Sequence, residues 1–165
     1  MIGEGTLSGG QRAFLHAMRR AVLVTITSDG RPRPVPICFV LSPDAPILYT
    51  PIDDKPKQGP DARSLARVRD VAADPRVSIL ADRWDEDWTR LAWLRLEGRA
   101  AVLDPPDPAD QTDAMDSEHG NAVAALRAKY DQYTEHRLET RPLIRVELER
   151  AVEWGELGLD TVYGG

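Results

Sequence analysis

The chain has 165 residues, 42% of them hydrophobic, and a net charge of −6. That is enough to bury a core without disulfides or a metal, too apolar for disorder, and too acidic for a general nucleic-acid binder. One cysteine, Cys38, excludes an internal disulfide, no apolar run reaches spanning length, and residues 1–10 lack a basic start and an apolar stretch, so the expectation is a cytoplasmic protein with no membrane partner.

Residues 8–20 read as a helix, with Ser8 as cap and Phe14, Leu15 and Met18 at helical spacing. Residues 21–28, AVLVTITS, read as a strand, and Asp29-Gly30 as a hairpin turn into a second strand over 31–41. A turn at 42–45 leads to a third strand, 46–51. Residues 52–60, with two prolines and a glycine, are irregular. A helix capped by Asp61 follows, with Leu65, Val68 and Val71 on one face, and Asp74-Pro75 ends it. Strands are expected at 76–81 and 88–103, a Pro- and Asp-rich stretch at 104–120, a helix at 122–133 and a last strand at 143–154. Nothing divides the chain, so residues 1–165 read as one domain. Six strands with short turns predict a mostly β, closed or partly closed antiparallel barrel with peripheral helices.

Few patterns carry chemistry. Leu7 to Arg12 spells LSGGQR, the signature of transporter ATPases, but no phosphate-binding GxxxxGKS/T loop accompanies it, and a helix start explains it. His16, His119 and His136 show no ligand spacing, and the aspartates at 104, 107, 110, 113 and 116 lack the calcium-loop pattern, so no metal is expected. Cys38 reads as a buried structural thiol. Pro32, Pro34 and Pro36 alternate along the second strand and strip the N–H donors from one side of it. The plain reading is a protected sheet edge; the sharper one is that the flat edge of a heterocycle lies there. Segment 55–69 holds Lys55, Lys57, Arg63, Arg67 and Arg69 against one acid, Asp61, and two of the chain's three lysines. Ahead of a helix N-terminus this is either a phosphate cradle or a solvated basic face. Trp84, Trp88, Trp93 and Trp154 fit a core or subunit contact, or a ligand platform. With no acid–base pair evident, an enzyme built on this chain would rely on a cofactor.

The order of SDGRPRPVP, DDKPK, ADPRVSIL and DEDWTRLAWLRLEGRA resembles the pyridoxamine 5′-phosphate oxidase-like family of FMN-binding split barrels, over about residues 12–154. It most resembles the actinobacterial branch of probable coenzyme F420-dependent oxidoreductases. The resemblance implies a six-stranded split barrel and a homodimer with two cofactor sites at its interface. It implies that Lys55 and Lys57 hold the cofactor phosphate with Arg63 nearby, and that Val35, Pro36 and Ile37 lie along the ring. Thr50, Pro51 and Ile52 would line the ring, and Trp88 and Trp93 would come from the partner. The implied activity is hydride transfer between F420 and a small conjugated substrate. The alternatives are an FMN-dependent reductase or oxidase, and a non-catalytic cofactor-binding protein. After Lys57 the chain reads Gln58-Gly59-Pro60-Asp61, where many relatives continue with basic residues.

Overall fold

In the computed structural model, which describes residues 7–52, 65–107, 109 and 116–158, the first helix opens on a reciprocal cap. Ser8 Oγ accepts from the Gln11 N–H, and the Gln11 side chain accepts from the Ser8 N–H. Helix α1 runs Gly9–Ala17 and buries Phe14 and Leu15. Strand β1 (Ala21–Ile26) follows, and Gly30, at φ 82°, turns the chain into β2 (Pro32–Ile37). The expected second strand stops there. Cys38 and Phe39 cross to a separate two-residue strand, β3 (Val40–Leu41), so the sheet has seven strands and not six. The ladder breaks because the Phe39 N–H donates to the Tyr130 hydroxyl at 3.1 Å, away from any neighbouring strand.

The remaining elements are β4 (Ile47–Pro51), α2 (Ala66–Ala73), β5 (Arg76–Arg83), β6 (Ala92–Leu103), α3 (Glu118–Lys129) and β7 (Leu143–Gly155). Helix α2 starts at Ala66, with Leu65 in the cap position and no side-chain bond to its free N–H groups. Asp61, the expected cap, lies outside the described residues. Trp88 sits in a 3-10 turn, Trp88–Arg90, and not on the long strand expected from residue 88. Helix α3 begins earlier than its apolar periodicity suggests because Ser117 caps it, its hydroxyl accepting from the Gly120 N–H.

All neighbours in the sheet are antiparallel, in the order β2-β1-β5-β6-β7-β4-β3. The edge strands β2 and β3 are joined by two residues, which span about 11 Å at most, so the sheet must curl until its edges approach. The result is a half-barrel. Leu23, Ile79, Leu94, Leu96, Leu48 and Val146 fill its inside. Helix α2 plugs it with Val68 and Val71, pinned by Asp70, which accepts from Thr25 Oγ1 at 2.8 Å and Arg33 Nε at 2.7 Å. Helix α3 covers the outside of β3, β4 and β7 with Val123 and Leu126 against Val40, Tyr49 and Leu143.

Among the described residues nothing of this kind covers the outside of β2, β1, β5 and the far ends of β6 and β7. Strand β1 is apolar on both faces, and the register puts Val22 beside Pro36 and Leu80, and Val24 beside Pro34. A sheet apolar on both sides needs a layer on each. Among the described residues no helix is long and apolar enough to cross a membrane.

Candidate functional site

Where the two sheet edges converge, the ends of β2 and β4 and the start of α2 enclose a cleft of about 200 Å³. Pro36, Ile37 and Cys38 form one wall, Thr50 and Pro51 another, and Arg20, Arg67 and Tyr133 complete it. Two guanidinium groups beside a hydroxyl and apolar walls suit an anionic group joined to a flat apolar body. Among the described residues no carboxylate or histidine lines the cleft.

The structure brings Pro36, Ile37, Thr50 and Pro51, which the resemblance implies, together with Arg67 of the basic segment. Val35 packs instead against the barrel core, and Ile52, with no exposed surface, is part of that core. Val35 lies one step back from Ile37 on the same face of β2, and Ile52 directly follows the end of β4. Lys55, Lys57 and Arg63 lie outside the described residues. Trp93 is half-buried and pairs across the ladder with Trp154, while Trp88 is 72% exposed. Neither lines the cleft of its own chain. Sequence reading did not single out Arg20, Cys38 or Tyr133 for a site. Arg20 precedes β1, and only the curl of the sheet brings it to the end of β4. Cys38 is half-buried on the cleft wall, not a fully buried thiol in mid-strand, because β2 ends one residue before it.

The seam behind the cleft is held by Tyr130 and Lys129. The Tyr130 hydroxyl lies 3.0 Å from the Arg19 carbonyl and 3.1 Å from that of Phe39, and accepts the Phe39 N–H. Lys129 Nζ sits 4.1 Å from the centre of the Phe39 ring and donates to the Leu15 carbonyl. Burial, with Arg19 adding to it, pushes the Lys129 ammonium down to about 8 from its ordinary 10.5. Between these values the unfolded chain binds more protons than the folded one, so this residue's contribution to stability rises with pH there. At pH 7, below both, its destabilising effect is fully present. Lys129→Met is therefore expected to raise the denaturant midpoint at pH 7. The gap between variant and wild type should shrink as pH rises through 8 to 10. A gap constant with pH would mean that the ammonium is not destabilised by its surroundings.

A larger cleft, about 470 Å³, lies between α3 and the β3–β4 turn, lined by Val40, Leu41, Tyr49, Glu118, Asn121 and Ala122 among others. Of its two acidic residues, Asp44 and Glu118, the second is already engaged. Glu118 Oε1 accepts from the Tyr49 hydroxyl at 2.6 Å and from Arg145 Nε at 2.7 Å. The Tyr49 bond, assisted by Arg145, holds the Glu118 carboxyl below the usual range, and burial together with that bond raises the Tyr49 phenol. His119 is buried with its Nε2 2.7 Å from the Arg141 carbonyl, a structural role. Among the described residues no three His, Cys, Asp or Glu side chains converge as a metal would require.

A family model described as pyridoxamine 5′-phosphate oxidase matches residues 8–155. No curated protein matches by sequence. Among solved structures, a conserved hypothetical protein from Mycobacterium tuberculosis, Rv2991, superposes with a TM-score of 0.66 at 18% identity, covering 100% of this chain and 96% of its own. An F420 reductase gives a TM-score of 0.60 at 17% identity over 88% of this chain and 98% of its own. The haem storage protein HutZ of Vibrio cholerae gives 0.60 at 16% identity over 87% and 90%. At these identities the superpositions establish the fold.

Proposed function

We propose that this chain, which belongs to the pyridoxamine 5′-phosphate oxidase family, binds a flavin-type cofactor at the seam cleft and acts as an oxidoreductase, with the deazaflavin F420 as its cofactor. The observation that carries this reading is the convergence of Pro36, Ile37, Thr50 and Pro51 with two arginines in one cleft. The donor set fits such a group. Arg20, Arg67 and the Thr50 hydroxyl would take the phosphate, joined by Lys55 and Lys57, and the proline-rich wall would lie against the ring. The cleft is too small for the whole molecule, so the tricycle would extend from it along the edge of β2. The cofactor supplies hydride transfer, and the protein's part is to orient it and exclude water. A phosphorylated deazaflavin also carries an anionic tail, which the cations of segment 55–69 would attract.

A second copy of this chain is the proposed cover for the outer face. Leu80 is 39% exposed and Trp154 51%, and these continue through Val22, Val24, Pro34 and Pro36 to the cleft. An exposed band of this kind marks an interface. Leu80→Arg is expected to turn a dimer in sedimentation into a monomer and to abolish cofactor binding with it. A monomeric wild type that still binds cofactor would rule out an interfacial site.

The direct test is titration with F420 and with FMN at low and high salt. Tighter F420 binding, with the advantage shrinking at high salt, supports the reading. Arg67→Ala should weaken either cofactor about tenfold, since a charge-assisted bond to phosphate is worth roughly 1.5–3 kcal/mol. Tighter FMN binding under both conditions would turn the assignment to an FMN-dependent reductase or oxidase. Binding without turnover by any acceptor would favour a non-catalytic cofactor-binding protein.

A further inference from the structure

Among the described residues strand β2 is the outermost on its side of the sheet, and it carries proline at 32, 34 and 36. Proline has no N–H. The ladder to β1 therefore runs through Arg33, Val35 and Ile37, opposite Thr25, Leu23 and Ala21. In an antiparallel strand the N–H and C=O of one residue point to the same side. The open edge thus presents the carbonyls of Pro32, Pro34 and Pro36, and no N–H until Cys38. Pro36 and Cys38 both line the seam cleft, so this donor-free edge runs directly into its wall.

An acceptor atom laid along such an edge faces oxygen and goes unsatisfied, whereas an N–H or a C–H finds a partner. A flavin tricycle has two long edges. One carries the ribityl chain, and only the other, with ring position 5 at its middle, can lie flush along a straight strand. Position 5 is an acceptor nitrogen in an oxidised flavin, a C–H in a 5-deazaflavin and an N–H in a reduced flavin.

Resting on the cofactor reading above, we infer that the proline edge of β2 is a specificity determinant that rejects an acceptor nitrogen at ring position 5 and accepts a carbon there. The edge does this through what it lacks, and Pro34 and Pro36, nearest the cleft, are the residues responsible. The same edge binds reduced flavin more tightly than oxidised flavin.

The test uses FMN and 5-deaza-FMN, which differ only at that atom, titrated into the full-length protein and into Pro34→Ala and Pro36→Ala. Each substitution returns one N–H to the edge at an exposed position, and its melting temperature is checked against wild type. Wild type is expected to bind 5-deaza-FMN about tenfold more tightly than oxidised FMN. At least one variant should tighten FMN about fivefold and leave 5-deaza-FMN within about twofold. Equal or tighter FMN binding by wild type, or a ratio unchanged in both variants, overturns the inference while leaving the cofactor site standing. Saturable binding of neither ring overturns the cofactor reading and this inference with it.

Discussion

Gly98→Ala is expected to destabilise the fold by about 3 kcal/mol or more, a fall of roughly 6–12 °C in melting temperature for a chain of this size. Gly98 lies in β6 where its pairing with β7 slips by one residue. Glu97 faces Arg150 but Gly98 faces Leu148, so Glu149 is extra on the β7 side. The bulge drives the β7 backbone toward Gly98. A methyl group there would lie 2.2 Å from the Glu147 carbonyl oxygen, 3.0 Å from its carbon and 3.2 Å from the Leu148 Cα. All three are backbone atoms of the longest strand pair in the sheet, and no side chain can swing away to relieve them. Gly10→Ala, inside α1 with only the Ser8 hydroxyl within 4 Å, is the control. It should be neutral or raise stability by about 0.5–1 kcal/mol through lower chain entropy. Comparable melting temperatures for the two variants would mean that the bulge is not as tight as the geometry requires.

Asp70→Ala is the second large expected effect, about 2–3 kcal/mol in chemical denaturation. Asp70 is 7% exposed, and one of its oxygens, Oδ2, accepts both the Thr25 hydroxyl and the Arg33 guanidinium. Thr25 has no exposed surface, so its hydroxyl would be left buried and unsatisfied. Arg33 is partly exposed and can turn to water, which keeps the loss below that of a fully buried pair. Asp70 also fixes α2, and with it Arg67 one turn earlier, against the barrel. The variant should therefore bind phosphorylated cofactor more weakly even where it remains folded. Asp70→Asn, which keeps an acceptor for Thr25 but not the charge, should recover part of the stability. A fully stable Asp70→Ala variant would show that α2 is held by Val68 and Val71 alone.

The sequence by itself determined the elements whose cause is local. Alternating β-branched residues in AVLVTI, the Asp29-Gly30 turn, the Ser8 cap and the three alternating prolines each act within a few residues, and the strand, hairpin, helix start and edge follow from them. The family was legible too, because it rests on the order of such local signals. Tertiary structure alone decided where β2 ends, since Phe39 gives its N–H to Tyr130, 91 residues further along the chain. The start of the long sixth strand has a local cause that residue type alone hides. Trp88 reads as strand by type, but the Asp87 side chain accepts the Thr89 N–H and tightens the chain into a 3-10 turn there. The site divides in the same way. Pro36, Ile37, Thr50 and Pro51 are what the family resemblance implies. Arg20, Cys38 and Tyr133 enter the cleft only because the sheet curls until its two edges meet. That closure is a contact between distant segments, and no window of sequence contains the atoms that make it.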